Sequence, residues 1–132
     1  MSEAMQSVFV YGSLKRGFVN HHLIARAKFL GVGMTRRGFA MLDLGRYPGV
    51  VRGCDIIGGE LFSVPLPLVG GLDRLEENGR VYQRELVPIA TGSGTIQAWI
   101  YIYLLARGDE KAVRPKGGVL LWCEPRRARI SA

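Results

Sequence analysis

The stretch Val8-Phe9-Val10-Tyr11-Gly12-Ser13-Leu14-Lys15 joins an apolar run to a loop broken at glycine. Valine and phenylalanine favour extended backbone, so the run reads as a buried first strand that ends at Gly12. Past Gly12 the backbone N–H groups of Ser13, Leu14 and Lys15 can hold a carboxylate or a polarised carbonyl oxygen. Taken alone, the peptide is equally read as an ordinary strand-to-loop turn. Gly12 to Gly17 also has the G-x-x-x-x-G spacing of a phosphate-binding P-loop. That motif continues with Lys and then Ser or Thr, whereas Phe18-Val19 follow here, which excludes it.

Outward from this strand the chain reads as short extended segments between glycine-rich turns. Its 18 glycines in 132 residues imply many reversals. Asn20 is placed to cap a short helix over His21 to Ala27. Strands are expected over Phe29 to Met34, Gly38 to Leu42, Val50-Val51, Ile56 to Val64 and Leu86 to Ile89, with a turn at Tyr47-Pro48-Gly49. Gly58-Gly59 predicts a bulge or the close approach of another backbone. Thr95 to Leu104 is the clearest strand. Ile96, Ala98, Ile100, Ile102 and Leu104 share one face, with Trp99, Tyr101 and Tyr103 on the other, so it should be central and covered on both sides. About six to seven strands and two short helices predict an α+β fold with a small, mixed, barrel-like curved sheet.

Length predicts one domain spanning 1–132. Hydrophobic content of 48% with 22% charged residues is a globular composition. No apolar run approaches the roughly 18 residues of a membrane span, and the polar N-terminus carrying Glu3 does not read as a signal peptide. Cys54 and Cys123 stand apart without a C-x-x-C partner, and His21-His22 are adjacent, so no disulfide framework, metal site or cofactor is expected. Two reduced thiols suit a cytoplasmic protein, a monomer or weak homodimer. The net charge of +7 favours anionic partners. The basic residues are scattered, however, and no nucleic-acid-binding signature accompanies them, so a nucleic-acid partner is not expected. Seven basic residues fall from Arg107 onward, and the run Arg126-Arg127-Ala128-Arg129 reads as a solvated terminus.

Leu66 to Glu77 is the second helix candidate, weakened by Gly70-Gly71. Leu68, Leu72 and Leu75 define its apolar stripe. At about 100° per residue Glu76 borders that stripe, roughly 80° from Leu68, while Glu77 lies on the opposite, solvated side. Asn78-Gly79 stops the helix, so Glu76 occupies its negative end with Asp73 nearby. Both effects raise the pKa of Glu76, as a proton shuttle requires. A partly buried glutamate paired with Arg80 or Arg84 is the competing reading.

These segments together resemble the γ-glutamylcyclotransferase-like superfamily. The matching pieces are Val8 to Gly17, Asn20-His21, Tyr47-Pro48 with Val50, Gly59-Glu60-Leu61-Phe62, Leu72-Asp73-Arg74-Leu75-Glu76, Tyr82-Gln83-Arg84 and Tyr101-Ile102-Tyr103. The resemblance implies a small α+β barrel with a cavity at its mouth. It implies that Tyr11, Gly12, Ser13 and Leu14 hold a γ-glutamyl group through backbone groups, and that Glu76 is catalytic. The helical wheel singles out the same glutamate. Tyr82 and Tyr103 in the matching pieces are further candidates for substrate contact. Lys15 and Arg84 join them as cations for the substrate α-carboxylate, a role that backbone donors could serve equally. The implied reaction is attack of the substrate's own α-amine on its γ-carbonyl, giving 5-oxoproline and a free amine without a cofactor. A non-catalytic protein of this fold, binding a small metabolite or a partner, is the alternative. The basic segment Arg107 to Ala132 lies outside the matching pieces; it either closes over the cavity or trails from it.

Overall fold

The computed structural model describes residues 4–123, so the arginine run at 126–129 and its expected solvation lie outside the described residues. The described chain comprises strands β1 (Met5–Val10), β2 (Lys28–Thr35), β3 (Phe39–Asp43), β4 (Pro48–Arg52) and β5 (Ile56–Pro65), helix α1 (Leu66–Leu75), then β6 (Tyr82–Thr91), β7 (Gly94–Tyr103), β8 (Lys111–Ala112) and β9 (Val119–Leu120). The sheet runs β1-β5-β2-β6-β7, and a parallel pairing of Val8 with Trp99 returns β7 to β1, closing a mixed five-stranded barrel. From β7 the sheet continues through β4 and β3 to β8, while β9 lies parallel to the start of β5.

The expected α+β barrel-like fold is what the chain adopts, and β7 is its centre. Ala98, Ile100 and Ile102 enter the barrel core with Phe9, Leu61 and Ile89. Tyr101 is buried on the other face, beneath α1, with Val8, Phe62, Val69 and Leu72. Alternating side chains thus build two cores from one strand.

Several local expectations need correction. The helix over His21 to Ala27 is a single 3-10 turn, His21–Ile24, and the Asn20 side chain does not cap it. The Asn20 amide instead donates to Ser13 Oγ at 2.9 Å. The register shift falls in β2 between Phe29 and Gly31 rather than at Gly58-Gly59. Gly59 answers the alternative reading, because a Cβ there would lie 2.5 Å from the Val10 carbonyl oxygen. The short strand expected over Leu86 to Ile89 is the middle of β6, which pairs with β7 along its whole length from Tyr82–Tyr103 to Thr91–Gly94. Pro88 is tolerated there because β2 contacts β6 only at Ile89, Ala90 and Thr91, leaving the proline outside that second ladder. In α1 the buried residues are Val69 and Leu72, while Leu75 is half exposed.

As far as residue 123, the segment after β7 neither lines the cavity nor trails away. Leu120 and Trp122 are buried in the barrel core. Among the described residues, no helix is long and apolar enough to cross a membrane.

Candidate active site

The geometry of β7 creates the site. Two strands run parallel to it in succession: β1 contacts it at Trp99 and β4 at Ile102. Between these contacts β1 and β4 part company, and the backbone of β7 loses a regular neighbour. Tyr11, at the end of β1, bridges the gap. Its hydroxyl donates to the Tyr101 carbonyl at 2.7 Å and accepts the Val50 amide at 3.3 Å. Without it both buried backbone groups would lack a partner, at a cost of about 1–3 kcal/mol each.

A cavity of about 270 Å³ opens at this divergence. That is small for a ligand pocket, where about 300–1,000 Å³ is usual, and it suits a small metabolite. The end of β1 and the Gly12–Leu14 loop form one side; Asn20 and the Tyr47-Pro48 turn join it. Leu75, Glu76 and Glu77 at the end of α1 face them, with Val81, Tyr82 and Tyr101 completing the wall. Gly12 is required for the fit, because a Cβ there would meet Pro48 Cγ at 2.9 Å.

Internal hydrogen bonds pin the loop while leaving its first amides available. Lys15 donates its amide to the Gly12 carbonyl at 3.1 Å and Asn20 to the Ser13 carbonyl at 2.9 Å. The His21 ring donates through Nδ1 to the Leu14 carbonyl at 2.9 Å. Among the described residues, no acceptor takes the amides of Gly12, Ser13 or Leu14. A rigid turn with unengaged N–H groups beside a cavity is suited to an oxyanion or a carboxylate.

Glu76 terminates α1 with its backbone amide on the Leu72 carbonyl at 2.9 Å. Among the described residues its carboxylate has no ion-pair partner. The pairings weighed for it go elsewhere: Arg80 lies 3.6 Å from Glu77, and Arg84 lies 3.0 Å from Asp73. Burial pushes the Glu76 carboxyl up to about 7. The direction matches expectation but the cause differs, since desolvation rather than the helix end or Asp73 carries it. Burial first, and negative charge that includes Glu76, push the Tyr11, Tyr82 and Tyr101 phenols well above their ordinary range. These three therefore stay protonated at neutral pH, which leaves Glu76 as the group suited to exchange a proton there.

The other candidates divide. Tyr82 lines the cavity and donates its hydroxyl to the Pro48 carbonyl at 2.9 Å. Tyr103 is outside the lining; its ring packs on Tyr82 with centroids 5.3 Å apart. Lys15 is buried outside the lining, and its ammonium donates to the Trp122 carbonyl at 2.8 Å. Arg84 is also outside the lining, bound to Asp73 and stacked 4.3 Å over Trp99. No basic side chain among the described residues lines the cavity, so a carboxylate bound there would meet only backbone N–H groups and neutral donors. Sequence reasoning missed Asn20, Tyr47 and Tyr101 as wall residues. Their place depends on the parting of β1 and β4, and no periodicity in the chain announces it.

The profile of the gamma-glutamyl cyclotransferase, AIG2-like family matches residues 8–122. The chain belongs to that family. A Vibrio cholerae protein provisionally named a gamma-glutamylcyclotransferase is 38% identical over 96 residues, covering 73% of this chain and 80% of its own. A second relative with the same provisional name, from Methanocaldococcus jannaschii, is 38% identical over 120 residues, covering 83% of this chain and 99% of its own. The crystal structure of an AIG2-like protein from Mus musculus superposes with a TM-score of 0.74 at 25% identity, over 80% of this chain and 81% of that chain. The gamma-glutamyl cyclotransferase match runs past Tyr103 to residue 122, so it takes in β8 and β9.

Proposed function

We propose that this protein converts a γ-glutamyl amide into 5-oxoproline and a free amine, with Glu76 as both base and acid. The observation that carries the reading is Glu76: an unpaired carboxyl, raised to about 7 by burial, in the same cavity as the unengaged amides of Gly12, Ser13 and Leu14. The substrate brings its own nucleophile. Its α-amine attacks the γ-carbonyl carbon, a C–N bond closes the five-membered ring, and the bond to the leaving nitrogen breaks. Intramolecular attack is the entropic advantage, on a scale of about 10⁵–10⁸ M in effective molarity. Glu76 takes one proton from the ammonium and gives it to the departing nitrogen, and the second proton shed by the ring nitrogen leaves with the released amine as its ammonium form. The loop amides stabilise the oxyanion formed between these steps.

The test uses γ-glutamyl amides with a free or an N-acetylated α-amine, read by mass spectrometry. The free-amine substrates should yield 5-oxoproline and the acetylated ones no amine at all. Release of amine from an acetylated substrate would mean ordinary hydrolysis. Saturable binding of γ-glutamyl compounds without any 5-oxoproline would make the protein a binding module.

A further inference from the structure

The Glu76 carboxylate has no hydrogen bond or ion pair of its own among the described residues, so its position is set by the turn that carries it. That turn is held from outside at both ends by one residue of β6. On its N-terminal side, Asp73 accepts Arg84 Nε at 3.0 and 3.2 Å through its two oxygens. On its C-terminal side, Asn78 Oδ1 accepts the Arg84 backbone amide at 2.9 Å. Asp73 also accepts the hydroxyl of Tyr101, a cavity-wall residue, at 2.7 Å. The Arg84 guanidinium is itself fixed 4.3 Å above the Trp99 ring.

We propose that Asp73 is a positioning residue: by binding Arg84 and Tyr101 it fixes the turn bearing Glu76 and keeps the guanidinium off the Glu76 carboxylate. The proposal rests on Glu76 being the proton shuttle. A cation that reached Glu76 would hold it ionised, and a permanently ionised carboxylate cannot return a proton to the leaving nitrogen. Asp73 and Arg84 form a part-buried pair, with side chains 22% and 26% exposed, so their attraction is less screened than at the surface. The other titratable groups around Glu76 are the phenols of Tyr11, Tyr47, Tyr82 and Tyr101 in the cavity wall, and Glu77, which is tied to Arg80. None of these groups is a cation; of the nearby arginines, Arg74 reaches back over Gly70 and Gly71 and Arg80 is on Glu77. Arg84 is therefore the guanidinium whose release matters.

Carbon-13 NMR of labelled glutamate side chains follows Glu76 directly, with Glu76→Gln identifying its resonance, and turnover is measured in parallel. In the wild type Glu76 should titrate near pH 7. In Asp73→Asn it should titrate about one pH unit lower or more, as expected for a carboxylate that gains an arginine. The double variant Asp73→Asn, Arg84→Met should restore the wild-type titration, because the cation is gone. In both variants kcat should fall tenfold or more with KM nearly constant. An unchanged Glu76 titration in folded Asp73→Asn overturns the proposal. Should Asp73→Asn not fold, Arg84→Met asks the same question, and full kcat in that folded variant overturns it. Turnover in Glu76→Gln within a few-fold of wild type would instead remove the proton-shuttle reading on which the proposal stands.

Discussion

Glu76 and Glu77 carry the same chemistry one position apart, and their surroundings separate them. Glu76 is partly buried and unpaired, while Glu77 is exposed and faces Arg80. Glu76→Gln should lower turnover by about 10²–10⁴-fold, the range for a lost general base. Glu77→Gln should stay within a few-fold, and equal losses in two folded variants would sink the assignment. The wild-type kcat/KM should climb with pH up to about 7, as Glu76 ionises. Stability should move the other way. The folded-state pKa of Glu76 stands above its ordinary 4.5, so its favourable contribution is complete below that value and is lost as pH rises through about 7. Glu76→Gln should therefore match the wild type near pH 4 and exceed it at pH 8. The gap between 4.5 and about 7 caps that gain at about 3 kcal/mol. Urea melts at the two pH values measure it, and an equal difference at both would contradict the linkage.

At the scale of the element, α1 owes its end to backbone chemistry. The Asn78 amide reaches the Asp73 carbonyl at 2.8 Å and the Glu77 amide the Arg74 carbonyl at 3.3 Å, the paired bonds of a Schellman stop. That motif puts its C′ residue in the left-handed region, and Glu77 occupies it at φ +48°. Glycine adopts this conformation without the roughly 1–2 kcal/mol a side chain costs there. The Glu77–Arg80 pair is exposed and contributes little against that strain. Glu77→Gly should accordingly raise stability by about 1 kcal/mol, seen as a higher Tm; a lower Tm would show that the pair outweighs the strain. The helix stop was legible as Asn78-Gly79, one residue late. The ten-residue span of β6 was not, because Pro88 and the charged Arg84 and Glu85 mask a strand whose extent is set by its pairing with β7.

The whole molecule is a barrel whose interior is completed from both ends of the sequence. Phe9 of the first strand and Trp122, near the end of the described chain, share one core. Buried Lys15, next to the Gly12–Leu14 loop, donates to the Trp122 carbonyl. Trp122→Ala would leave a void in that core, and the expected loss is about 3–5 kcal/mol. Against a total stability of about 5–15 kcal/mol this is a large share. A chemical denaturation curve with a midpoint close to wild type would show that the segment after β7 only lies on the barrel. The apolar run Val119-Leu120-Leu121-Trp122-Cys123 was the local sign of such a role, and it was overshadowed by the basic, polar residues before it. The segment's strands are two residues long, and within the apolar run Val119 to Cys123 it is the pairing of β9 with β5 that decides which side chains enter the core: Leu120 and Trp122 are buried while Leu121 is exposed.

What the sequence by itself determined is whatever depends on near neighbours. The first strand and its break at Gly12 follow from side-chain type, the two covered faces of β7 from a period of two, and the inward lean of Glu76 from a helical period. The tertiary structure decided which partner each group meets. Arg84 and Lys15 are cations near the site in sequence, yet one is bound to Asp73 and the other to the Trp122 carbonyl. The cavity itself exists because β1 and β4 leave the same edge of β7 in opposite directions from the Tyr101 gap, where Tyr11 fills the missing hydrogen bonds. Residues 11, 50 and 101 are brought together by strand order, and a one-dimensional pattern carries no record of that order.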